Sequence, residues 1–147
     1  MRIARTPLEL HVAGHACCTL VFPVQTILLI SIGAAVGANL RYWLANQVMK
    51  ITTPAFPFGT LAINISGSFV LGFFLIWTTD RVIADPRWRL LIAVGFCGGY
   101  TTFSSYAYEC FALVEQGQWL PAFANMIGSN LLSLVGVVLG AVLARSL

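Results

Sequence analysis

Between Gly95 and Glu109 the chain reads GFCGGYTTFSSYAYE. This stretch lies in the middle of a hydrophobic run long enough to cross a membrane. It nevertheless carries two adjacent glycines (Gly98 and Gly99), the hydroxyls of Thr101, Thr102, Ser104 and Ser105, several tyrosines and one carboxylate. Inside a bilayer, backbone groups released from a helix persist only where protein, an ion or water satisfies them. A helix that breaks here is therefore a candidate ion site.

Two further stretches carry polar side chains at helical spacing. Thr60, Asn64, Gly67 and Ser68 fall at i, i+4, i+7 and i+8 and share one face. Asn125, Ser129 and Ser133 repeat at i, i+4 and i+8, with Asn130 alongside. A mid-membrane asparagine is costly unless its amide finds partners, so Asn64 alone reads equally as helix glue. Two such stripes are more than gluing requires, and together they read as the lining of a path. That path holds no Asp, Lys or His, and Glu109 is the one titratable carboxylate placed to serve it. Neutral N–H and O–H donors can hold an anion without retaining it too long to conduct. Phe103 and Tyr106, three residues apart, could add the positive edges of their rings. The same spacing also serves ordinary packing.

The elements that position these residues follow from composition. Hydrophobic residues make up 59% of the 147 and charged residues 9%, against about 25% charged in a soluble domain. The length allows about four spans of roughly 20 residues each and leaves no room for a soluble domain. The spans expected are Thr26 to Asn46, Phe58 to Thr78, Leu90 to Val114 with the break, and Pro121 to Ala144. Trp43, Trp77, Trp88 and Trp119 fall near their ends, as interfacial tryptophans do. Gly33 and Gly37 have the small-xxx-small spacing that lets helices approach closely.

Residues 1–23 read as an extension, disordered or resulting from a start codon placed too far upstream, ahead of a four-helix domain over 24–147. Its His11 and His15 are i, i+4, which suits a metal site or a solvated tail. Cys17, Cys18, Cys97 and Cys110 show no metal-ligand spacing and read as free thiols. With four spans, Arg2, Arg5, Arg81, Arg87, Arg89 and Arg145 share one side, against Lys50 and Arg41 on the other. The positive-inside rule then puts both termini in the cytoplasm. The charge is too scattered for a nucleic-acid surface. One four-helix subunit is thin, so a path calls for a second.

On these residues the chain resembles the Fluc-type fluoride channels of the CrcB family. The resemblance covers about residues 26 to 145. It rests on Gly33-x-x-x-Gly37 with Arg41-Tyr42, on Gly59-Thr60-x-x-x-Asn64-x-x-Gly67-Ser68-Phe69, and on Gly95-Phe96-Cys97-Gly98-Gly99-x-Thr101-Thr102-Phe103-Ser104. It implies an all-α membrane protein of four helices per subunit, assembled as an antiparallel, dual-topology homodimer with two fluoride pores along the interface. It maps the pore lining onto Asn64, Phe103, Ser104, Asn125, Ser129 and Ser133. Thr60 and Tyr106 join them on the polar face and the aromatic pair. It also implies a structural sodium ion at the dimer centre, held by the backbone carbonyls of Gly98 and Thr101. Three features differ from the common family pattern. Tyr106 stands where many members have phenylalanine, Asn125 stands where tyrosine is common, and the arginine bias departs from the balanced loops of dual topology.

The function implied is passive, fluoride-selective export across a bacterial inner membrane, with no catalysis. The alternative is a small four-helix, proton-coupled multidrug-type exporter. It would need a carboxylate in the first span, and Thr26 to Asn46 contains none.

Overall fold

The computed structural model describes residues 23–53, 55–80 and 85–147. The expectations for the N-terminal extension, its histidines and Arg81 lie outside the described residues. Every regular element among the described residues is helical. In chain order they are α1 (Val24–Ile51), α2 (Phe58–Asp80), α3 (Pro86–Trp88), a π-helical stretch (Arg89–Cys97), α4 (Gly98–Tyr100), α5 (Phe103–Glu115) and α6 (Trp119–Ser146). Three of them, α1, α2 and α6, are long and apolar enough to cross a bilayer, with mean hydropathies of 1.5, 1.8 and 2.1. The chain is a multi-pass membrane protein.

Local sequence explains where these helices start and stop. Asp85 caps α3 by accepting from the Arg87 backbone N–H at 3.0 Å, and Pro86 fills the first helical position. Gly117 takes φ 71° after α5, a left-handed position that favours glycine. Its N–H donates to Val114 O at 2.9 Å, and Gln118 N–H donates to Leu113 O at 2.9 Å, closing the helix end. Pro121 lies in the first turn of α6, where its missing N–H costs nothing.

Two glycine seams hold the helices together. Gly33 and Gly37 turn α1 toward the π-helical stretch, and an added Cβ would strike the carbonyl oxygens of Leu91 and Phe96 respectively. The close approach expected from their spacing is present. A second seam joins α2 to α6, where a Cβ on Gly72 would strike Val137 O and one on Gly140 would strike Phe69 O. Without a hydrophobic drive between helices in lipid, this backbone proximity supplies the packing. At one end, Arg89 donates to Thr78 at 3.4 Å and also to Thr79, tying the close of α2 to the segment that follows.

The segment from 86 to 115 is interrupted within the stretch expected, at Thr101 and Thr102. Gly98 is helical (φ −64°, ψ −35°), and the chain leaves the helix at Thr101 (φ −76°, ψ 157°) and Thr102 (φ −147°, ψ 120°). Of the two glycines, Gly99 serves packing: a Cβ on it would lie 2.6 Å from Ala34 O. Threonine, stiff at its branched β-carbon, suits the extended conformation better than the helix.

Candidate functional site

The interruption is made tolerable by α2. Asn64 Nδ2 donates to Thr102 O at 3.1 Å, and Asn64 Oδ1 accepts from Thr102 N at 2.9 Å. One side chain thus satisfies both backbone groups of the extended residue, as a neighbouring strand would. In a continuous helix Thr102 N–H would donate to Gly98 O. Its diversion to Asn64 leaves the Gly98 carbonyl without its helical donor. Thr102 then caps α5, its Oγ1 accepting from Ser105 N at 3.2 Å. Asn64 joins α2 to the break and keeps a second amide hydrogen that no hydrogen bond among the described residues uses.

Beside the break lies a cavity of about 220 Å³ lined by Asn64, Ser68, Thr101, Thr102, Phe103, Tyr106, Ser129, Asn130 and Ser133. Its wall carries amides, hydroxyls and two aromatic rings, and no formal charge. Of the eight residues assigned to the pore from sequence, five meet here: Asn64, Phe103, Tyr106, Ser129 and Ser133. The rings of Phe103 and Tyr106 lie 5.6 Å apart at 52°. Phe103 is 78% exposed within the subunit, so it is not a core packing residue of this chain.

Three expected lining residues lie elsewhere. Asn125 is fully buried: its Nδ2 donates to Cys110 Sγ at 3.3 Å, and its Oδ1 accepts from Ser129 Oγ at 3.0 Å. It supports Ser129 from behind the cavity wall. Ser104 is exposed beside Phe103, with its Oγ 3.4 Å from Thr102 Oγ1, and does not line the cavity. Thr60 shares the helical face of Asn64 but sits a turn away, where its hydroxyl donates to Glu109 Oε1 at 2.5 Å. The other carboxylate oxygen of Glu109 is buried with no protein donor.

Glu109 also borders a second cavity, of about 250 Å³, with Met49, Phe56, Pro57, Tyr108, Leu113, Gln116 and Gln118 on its walls. Along α5 the order is therefore Phe103 and Tyr106 at the first cavity, Glu109 and Cys110 next, then the second cavity. Sequence reasoning placed neither the Thr60–Glu109 pair nor the Cys110–Asn125 contact. Helical periodicity within one span reports which residues share a face, not what the facing helix brings to it.

Residues 28–141 match the family described as CrcB-like protein, Camphor Resistance (CrcB). A protein of Koribacter versatilis (strain Ellin345) named Fluoride-specific ion channel FluC is 52% identical over 124 residues, which cover 84% of this chain and 98% of that one. Proteins of the same name from Roseiflexus sp. (strain RS-1) and Sulfurihydrogenibium sp. (strain YO3AOP1) are 45% and 41% identical, each over 84% of this chain and 99% and 100% of their own lengths. With a break clasped by Asn64, an uncharged cavity beside it and a family match spanning most of its length, this chain belongs to the CrcB-like family.

Proposed function

We propose that this chain forms a passive fluoride-selective channel in a bacterial inner membrane. The observation that carries the reading is the cavity at the break, walled by neutral donors and ring edges. Such a wall offers hydrogen bonds to an anion while placing no fixed cation there to trap it. The relatives' name, Fluoride-specific ion channel, points to the anion. Hydrogen fluoride crosses lipid as a neutral molecule and ionises in the cytoplasm. A passive path lets the membrane potential, negative inside, drive the trapped anion out. The chain's part is to replace water around the ion with Asn64, Ser129, Ser133 and the edge of Phe103, with Ser104 beside them. Asn125 steadies Ser129. A multidrug-type exporter finds no carboxylate in α1, over Val24–Ile51.

The assembly that fits this reading is an antiparallel, dual-topology homodimer of four-helix subunits, with residues 86–115 as the third, broken span. Its support is the polar surface of a single subunit. Ser104 and Asn130 are exposed within spans, where polar groups facing lipid are costly. Gly98 is exposed as well, with nothing within 4 Å of its Cβ direction.

The donor set at the break also fits a structural sodium ion. The carbonyl of Gly98 has lost its helical donor and Thr101 ends the helix, so oxygen ligands for a hard cation are available there. Two copies would supply Gly98 and Thr101 twice. Bound sodium would offset the negative ends of the broken helices.

Fluoride efflux from liposomes, followed with a fluoride electrode, tests the function. Rapid efflux from liposomes holding the purified protein, absent from empty ones, supports it. Equal leakage from both overturns it. Dimer dissociation after exhaustive sodium removal, reversed by adding sodium back, supports the cation site. An equally active dimer without sodium overturns that part alone.

A further inference from the structure

On the wall of the uncharged cavity, the phenol oxygen of Tyr106 occupies an unusual position. Asn130 Nδ2 donates to it at 2.9 Å and donates its other hydrogen to Met126 O at 2.6 Å. The amide nitrogen is saturated. Met126 O already accepts the backbone N–H four residues on, as α6 is continuous through this region. The phenol's own path to Met126 O, at 3.4 Å, is therefore the longest claim on a crowded acceptor. Its oxygen is fixed by a strong incoming bond, while its hydrogen is held weakly. Both side chains line the cavity.

We propose that the Tyr106 hydroxyl is a hydrogen-bond donor to the small anion in this cavity, and that Asn130 is the positioning residue that aims it. The inference rests on the channel reading and deepens it. With the oxygen tethered at α6, the ring keeps its 52° tilt to Phe103, and the hydroxyl can swing its hydrogen from Met126 O to an arriving ion. Phenylalanine at this position would offer a ring edge but no such donor. Asn130 contributes no hydrogen of its own to the ion, since both hydrogens of its side-chain amide are committed. Its effect must pass through Tyr106.

The test measures efflux from liposomes against fluoride concentration for the wild type, Tyr106→Phe, Asn130→Ala and the double variant. Size-exclusion profiles check each assembly. Removing a hydrogen bond to a charged group should raise the half-saturating fluoride concentration about tenfold in Tyr106→Phe, and loss of aim should raise it about threefold in Asn130→Ala. The double variant should match Tyr106→Phe alone, because with no hydroxyl left there is nothing for Asn130 to position. A purely structural role for Asn130 would instead lower its own variant in either background. An Asn130→Ala effect that persists in the Tyr106→Phe background overturns the positioning role. An unchanged half-saturation in Tyr106→Phe, with normal wild-type efflux, overturns the donor role and leaves the channel reading standing. No efflux from the wild type overturns both.

Discussion

The two cavities along α5 are similar in volume and opposite in chemistry. The one at the break has no charged residue on its wall. The other is bordered by Glu109, whose one carboxylate oxygen takes the Thr60 hydroxyl while the other has no protein donor. An anion stripped of water needs donors without a counter-charge that holds it, whereas a carboxylate is tolerable where its own partners are arranged. On the proposed reading, the difference separates a place where an ion is gripped briefly from a place where the protein manages a charge of its own.

Carrying a carboxylate into the neutral cavity breaks the contrast most directly. Asn64→Asp keeps the shape, replaces the donor to Thr102 O by an acceptor and sets a negative charge on the path. A charge in a membrane interior costs about 3 kcal/mol, so fluoride efflux should fall by about a hundredfold or more. Efflux from a folded, dimeric Asp variant at near wild-type rates would remove Asn64 from the pathway. Phe103→Leu tests the aromatic half of the same wall. It preserves the bulk and removes the positive ring edge, worth about 1 kcal/mol, so flux should drop by roughly fivefold while the protein stays folded. Normal conduction would make the ring a surface for the partner subunit instead. The smallest effect on flux belongs to the charged region, where the change is one of stability. Thr60→Val is nearly isosteric and leaves both Glu109 oxygens without a protein donor, which should cost about 1–3 kcal/mol of stability. Thermal unfolding in detergent reads this directly. A variant as stable as wild type would mean that water serves the carboxylate just as well.

Much of this arrangement is legible in the sequence, and the remainder fails for identifiable reasons. The seam at Gly33 and Gly37 is readable because both partners of the spacing lie on one helix. The second seam is harder to read, because α2 carries several small residues and which of them packs against α6 depends on where Val137 falls. The broken segment is visible from its composition, and the interruption at Thr101 and Thr102 falls within the stretch so marked. What holds it open is not visible, because Asn64 lies 38 positions from Thr102. Thr60 shares the face of Asn64, but its partner on the facing helix is not readable from that face. Four residues of helix carry it about 6 Å along the axis, out of reach of the cavity and into reach of Glu109. The family resemblance singles out Phe103 and Asn64, and both line the cavity at the break. It is less informative at Asn125 and Tyr106, where this chain departs from the common pattern and local geometry has to be read for itself.

The Asn64 clasp also bears on how the protein is made. A thirty-residue apolar segment from 86 to 115 left to itself in lipid would favour one unbroken helix, because every peptide group is then served internally. The two half-helices become the better choice only once an amide stands ready at the right depth. That amide belongs to α2, which leaves the ribosome before the segment it reshapes. The sequence order therefore acts as a schedule: the template for the interruption is in the membrane before the interrupted chain arrives. Transplanting the second and third segments in reversed order would retain every residue and lose that priority, and the later segment would enter as a rod that must afterwards be broken.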